Sequence, residues 1–219
     1  MTLEKNIKEK YNKRGKKDQL YSGVYTDFCE AERVPKTKYL TDKFLKDYSD
    51  KTILEIGAGH GSNTYMFLQF GFSKENIFLN ELLPDRIENI KRNFKGIKLY
   101  EGNALDVTFD NTFDCVYQST VFSSILNDDD RKELARKMWE LLKPGGIILW
   151  YDFIYNNPWN KDVRKISVKE LKNLFPKANK KEILKVTLAP PIGRRVGKFY
   201  PLFNVPFLRS HILAIFQKA

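Results

Sequence analysis

Three glycines at alternate positions, Gly57, Gly59 and Gly61, follow the apolar run Ile53-Leu54-Glu55-Ile56 and are followed at once by a helical pattern. Glycine lets a backbone turn sharply and approach a ligand closely, so a buried strand running into such a loop is a cradle for a bound small molecule. The spacing departs from the G-x-G-x-x-G of dinucleotide sites because the third glycine comes one residue early. Glu55 stands two residues before the first glycine. Proton acceptors are few: His60 inside the glycine loop, His211 near the C-terminus, and Asp152 at the end of an apolar run. Arg194 and Arg195 form a double guanidinium fork suited to phosphate or sugar-nucleotide oxygens, or else an exposed basic loop.

The elements that would position these groups alternate along the chain. ILEI reads as a buried strand and SNTYMFLQFG as a helix stopped by Gly71. NIFLN is a second strand, PDRIENIKRNF a helix opening on Pro84, IKLYEGN a third strand and FDCVYQS a fourth. The long amphipathic helix from about Asp128 has three aspartates at its positive end and buries Leu134, Met138, Leu141 and Leu142. GGIILWYDF is a fifth strand, SVKELKNLF a short helix, and KEILKVTLA and HILAIFQK two closing strands. Strands alternating with helices predict an α/β fold, a parallel sheet covered on both faces. Before the first strand, KYLTDKFLKDY predicts a helix, and Pro190–Leu208 reads as an irregular insertion rich in Pro, Arg and aromatics.

Composition bounds the rest. At 219 residues and 42% hydrophobic, the chain suits one domain: a polar helical region over 1–50, a core over 52–155 and a distinct C-terminal region over 156–219. No apolar run reaches the length of a membrane span, and the charged N-terminus predicts no secretory leader, so a cytoplasmic protein is expected. Cys29 and Cys115, without CxxC spacing, predict neither a disulfide nor a structural zinc. The net charge of +11 is uneven: 13 − 9 = +4 over residues 1–52, 11 − 15 = −4 over 53–155, and 14 − 3 = +11 over 156–219. The C-terminal excess attracts anions, whether phosphorylated substrates, nucleic acid or acidic headgroups, or is simply a solvated surface.

The string LEIGAGHG resembles motif I of class I S-adenosylmethionine-dependent methyltransferases, and the likeness continues in order through LNELLPDRI, EGNALD, FDCVYQSTVFSSI and LLKPGGIILWYDF. It implies a Rossmann-like, seven-stranded, mostly parallel sheet with the last strand antiparallel, and S-adenosylmethionine as cofactor. In that pattern Glu55 helps hold the methionyl amino group, while Gly57, Ala58, Gly59 and Gly61 form the loop. Glu81, with Leu82 beside it, binds the ribose hydroxyls, a task that two accepting oxygens suit; Asp is commoner there. Asn103 stands where Asp is commoner and meets adenine together with Ala104, and Gln118 and Ser119 lie at the reacting end. In related enzymes the region before the first strand supplies a lid, which points to Tyr21, Tyr25 and Arg33, or these residues serve helix packing.

The acceptor is narrowed by what is missing. The [DN]PP[YFW] signature of base amino-methylation is replaced by YQST, and the Asn-Asn-Pro-Trp at 156–159 follows the wrong strand. Cys115 sits within a strand as a core residue rather than a nucleophile. Asp128, Asp129 and Asp130 read as a helix start rather than metal ligands, so no metal is expected. The tail from YDFIYNNPWNKDVR onward resembles a bacterial methyltransferase subgroup associated with surface-polysaccharide or glycolipid synthesis. The expectation is therefore methyl transfer, on oxygen, to a small-molecule, sugar or lipid-linked acceptor. RNA methylation through the basic tail is the alternative, and a non-catalytic binding module a third reading. Phe199, Tyr200, Leu202, Phe203 and Phe207 beside Lys198 and Arg209 also suggest peripheral contact with an anionic membrane.

Overall fold

The computed structural model describes residues 4, 5, 7–9, 23–108, 112–157 and 160–219; Tyr21, Pro158 and Trp159 lie outside the described residues. In chain order the elements are α1 (Val24–Thr41), β1 (Ile53–Ile56), α2 (Asn63–Phe70), β2 (Ile77–Glu81), α3 (Pro84–Asn93), β3 (Lys98–Glu101), β4 (Phe113–Ser119), α4 (Asp128–Leu141), β5 (Leu142–Phe153), α5 (Val168–Leu174), β6 (Lys180–Leu188), α6 (Pro190–Val196), α7 (Tyr200–Phe203) and β7 (Arg209–Gln217), with short 3-10 turns between several of them. The seven strands form one sheet in the order β3-β2-β1-β4-β5-β7-β6. β7 runs antiparallel to both neighbours and every other pair is parallel.

β1 is buried along its whole length because β2 and β4 flank it and helices cover both faces. On one face Leu54, Val116, Ile148 and Trp150 pack with Leu134 and Met138 of α4. On the other, Ile53, Leu79, Tyr117 and Leu149 pack with Phe67 of α2 and Leu40 of α1. The strand order reverses at β1, whose two neighbours connect in opposite directions, and the crevice at the carboxyl ends of β1 and β4 is where such sheets bind ligands.

Two stretches differ from the sequence expectation. The helix expected through KYLTDKFLKDY stops at Thr41, and the next residues fold into a turn in which Asp42 accepts from Lys38 and from the Tyr48 hydroxyl. Local polar bonds there outcompete a helix whose apolar spacing had continued. The insertion over 190–208 is not irregular: it is a chain of short helical turns, and α6 begins on Pro190 and Pro191, whose fixed φ suits a first turn. Its Gly193 lies against the ring of Tyr25 so closely that a Cβ would fall 2.2 Å from Cε2, so only glycine lets α6 dock on α1.

Candidate active site

A cleft of about 280 Å³ opens at the carboxyl ends of β1, β2 and β4. Its walls include Gly57, Ala58, Gly59, His60, Glu81, Leu82, Asn103, Ala104 and Ser119, together with Ile7, Asn63, Arg86 and Thr120. Gly59 has φ +61, and a Cβ there would meet nothing nearer than Arg86 Nη1 at 4.0 Å, so the loop leaves its backbone open to a ligand. Gly57 is closed on its far side by Val121, 2.6 Å from where a Cβ would stand. Gly61 instead packs against Phe94 and Ile90, fixing the loop to α3.

Glu81 ends β2 with its carboxylate already oriented. Oε2 accepts the N–H of Gly59 at 2.7 Å, and Oε1 accepts those of Leu82 and Leu83 at 2.8 and 2.9 Å. Three backbone donors fix the side chain, taking both lone-pair sites of Oε1 and one of Oε2, so Oε2 keeps an accepting site for a ribose hydroxyl. Asn103 caps the short turn after β3, its Oδ1 accepting from Leu105 N at 3.1 Å.

Glu55 and Gln118 stand behind the cleft wall. Glu55 is fully buried; its Oε1 accepts from Asn63 Nδ2 at 2.7 Å, while Oε2 has no partner. Burial pushes its carboxyl up to about 8, against the pull of Asn63 and of the Arg33 charge. An orphaned, buried carboxylate oxygen one side chain from the cleft is a natural acceptor for an ammonium group. Gln118 is bonded within the fold: its amide donates to Tyr151 O at 3.3 Å and accepts from Val121 N at 3.0 Å, shaping the turn that carries Ser119 and Thr120. Thr120 holds φ 57, a left-handed conformation uncommon for a β-branched residue.

Next to Ser119, behind the cleft lining, lies a cationic and aromatic cluster. Ser119 pairs with Tyr151 across β4 and β5. Arg33 from α1 bonds Asn63 and the Tyr117 hydroxyl, and its guanidinium lies 5.3 Å from the centroid of the Tyr151 ring. His211 stacks on Tyr151 with ring centroids 5.1 Å apart and shares a hydrogen bond with Ser210 Oγ. Burial, then the nearby Arg33 charge, lowers its imidazole to about 4, so it is neutral at physiological pH.

The three proton acceptors expected from sequence thus part company. His60 stands exposed on the rim of the cleft, and His211 lies outside the cleft lining, stacked on Tyr151. Asp152 is fully buried on the opposite face of β5, where it accepts from Ser123 N and Phe153 N and is pushed up to about 7 by burial; its expected place beside the acceptor is corrected to the support of the β4–α4 loop. Alternation along β5 explains this: Tyr151 faces the α1 side, so Asp152 must face the other. Arg194 and Arg195 are exposed on α6, away from the cleft walls, with Arg194 over the Tyr25 ring. Asp128, Asp129 and Asp130 form the first turn of α4, capped by Asn127. Ile7 and Asn63 lie outside the motif strings, and Thr120 stands within FDCVYQSTVFSSI without an expected role; only the fold brings these three to one cleft.

Comparison with known proteins fits this geometry. Residues 53–146 match the methyltransferase domain family. The chain is 27% identical over 110 residues to the ubiquinone/menaquinone biosynthesis C-methyltransferase UbiE of Citrobacter koseri, covering 47% of this chain and 43% of that protein. It is 30% identical over 97 residues to the cypemycin N-terminal methyltransferase of a Streptomyces species, covering 44% and 39%. The matches therefore span less than half the length of these curated relatives. Among solved structures, a SAM-dependent methyltransferase from Archaeoglobus fulgidus superposes with a TM-score of 0.60 at 15% identity, over 89% of this chain and 99% of that one.

Proposed function

We propose that this chain, a class I S-adenosylmethionine-dependent methyltransferase, transfers the methyl group to a hydroxyl oxygen of a small-molecule, sugar or lipid-linked acceptor. The observation that carries the cofactor half is the Glu81 carboxylate held by three backbone N–H groups beside an open Gly59. When bound, the cofactor supplies an electrophilic sulfonium methyl. Glu81 would hold a ribose hydroxyl through Oε2, Asn103 and Ala104 its adenine, and Glu55, reached past Asn63, its amino group.

What remains for the chain is to orient the acceptor, exclude water and take a proton. Next to Ser119, behind the residues that line the cleft, Arg33, Tyr151 and His211 gather around the buried Tyr117. An acceptor that reaches this cationic, aromatic cluster is favoured as a neutral or acidic hydroxyl over a protonated amine. His211 is in its accepting form above about pH 4 and takes the hydroxyl proton in this reading. The tail resemblance supports a glycan or glycolipid acceptor. The test is to incubate the protein with labelled cofactor and fractionated sugar, lipid and small-metabolite extracts, then locate the new methyl by NMR. An O-methyl product supports the proposal, while a C- or N-methyl product, or none despite cofactor binding, overturns it.

A second reading, RNA methylation, draws on the +11 charge of residues 156–219. It requires salt-dependent RNA binding in a gel shift, with a slope set by the phosphates contacted.

A further inference from the structure

Between β6 and β7 four large apolar side chains are turned to solvent: Phe199 is 52% exposed, Leu202 74%, Phe203 44% and Phe207 76%. Single exposed apolar residues need no explanation, but a cluster on one short segment does. Phe199, Leu202 and Phe203 follow the i, i+3, i+4 spacing of one helical face.

The segment that displays them is firmly held. Tyr200, in their midst, is 2% exposed and stacks on Phe28 of α1. Its hydroxyl donates to Glu32 at 2.9 Å and accepts the N–H of Leu188 at 3.0 Å. Arg209 closes the far end through Asn204. With Tyr200 buried, its neighbours have no inward place to go, so their exposure belongs to the fold.

Charge accompanies the apolar cluster. Arg194, Arg195 and Lys198 are exposed just before it, and residues 189–209 contain four basic side chains and no Asp or Glu. The segment also sits at the functional end of the sheet. β6 ends at Leu188 opposite Arg209, and His211 pairs with Phe153 at the carboxyl end of β5, the same end as the cleft.

We propose that residues 194–207 form a docking surface for an anionic lipid bilayer, which holds the cleft end of the molecule against the membrane. Lys and Arg meet acidic headgroups while Phe and Leu enter the interfacial layer. Nucleic acid would use the charges but leave the apolar cluster in water. A second copy of the chain would cover the cluster but oppose two basic rims. The inference is independent of which acceptor the enzyme uses.

The test is flotation of the full chain with vesicles of phosphatidylcholine alone and of phosphatidylcholine with about one-third phosphatidylglycerol. The chain floats with the anionic vesicles and not with the neutral ones. Leu202→Ser/Phe207→Ser and Arg195→Ala/Lys198→Ala each lower the bound fraction about tenfold or more. S-adenosylhomocysteine affinity, measured on each variant, confirms the fold, and the single substitutions Leu202→Gln and Arg195→Gln replace any double variant that fails that check. Absence of flotation with anionic vesicles, or equal flotation of the variants, overturns the proposal. So does a dimer in light scattering that the apolar variant dissolves without any vesicle binding, which assigns the patch to a second copy.

Discussion

Nη1 of Arg33 lies 3.0 Å from Oδ1 of Asn63, joining the helix before the first strand to the helix that leaves the glycine loop. Asn63 in turn donates to Glu55, so one relay runs from α1 through the cleft wall to the buried carboxyl. One wall of the cleft, Asn63, is therefore held by a residue well outside the glycine motif.

Arg33→Ala and Asn63→Ala are each expected to weaken S-adenosylhomocysteine binding by about tenfold, and their double-mutant cycle to show a coupling of about 1 kcal/mol. Calorimetric titration of the four proteins checks this. Strictly additive losses would show that the two side chains act apart.

Burial of Glu55 has a pH signature. Its carboxyl is raised from the ordinary 4.5 to about 8, so between these values the folded chain holds a proton that the unfolded chain has released. Stability from this group is full below about pH 4.5 and is lost as pH rises toward 8. Glu55→Gln removes that dependence. Thermal melts from pH 5 to 8 should show the difference in stability, variant minus wild type, rising by on the order of a few kcal/mol. A flat difference contradicts the buried, protonated carboxyl.

Amino-group binding near Glu55 requires the charged form, which predicts proton release. Titrating S-adenosylhomocysteine at pH 7 in two buffers of different ionisation enthalpy should give different apparent heats in the wild type and equal heats in Glu55→Gln. Equal heats in both proteins would leave Glu55 as a structural group only.

Much of this was legible in the sequence. The apolar run into Gly57, Gly59 and Gly61 is local, as is the acid at the end of β2, and each needs only its neighbours to be read. Asp152 could be placed at the right strand end but not on the right face, and the burial of Glu55 and Gln118 behind the cleft lining could not be read from their motifs. Facing depends on strand register, and a one-residue difference moves a side chain to the other face. The turn after Thr41 was missed because the Asp42–Tyr48 bond competes with a helical pattern that continues past it. Arg33, Asn63 and Tyr117 meet across 84 positions of chain, and no local pattern records that.

Glu32 is the other long-range tie. It accepts from Thr187 N at 3.1 Å and from Tyr200 at 2.9 Å, where Thr187 holds φ 62 and its amide faces α1 rather than the sheet. Its carboxyl sits below the usual range despite burial, which alone would raise it, because Lys36 and Tyr200 bond to it. Glu32→Leu leaves that amide without a partner and should cost about 1–3 kcal/mol in urea unfolding. Tyr200→Phe, which keeps the ring stack, should cost about 1 kcal/mol. No loss in either variant would mean that the clamp contributes nothing to stability.

The central claim, that the cleft at Glu81 is an S-adenosylmethionine site, is tested most directly by calorimetric titration of S-adenosylhomocysteine into the wild type, Glu81→Gln and Glu81→Ala, with melting curves to confirm folding. The account predicts micromolar binding to the wild type, roughly −8 kcal/mol, weakened at least about tenfold in both folded variants by the loss of a charged acceptor. Absence of binding to the wild type, or equal affinity in the folded variants, would contradict it.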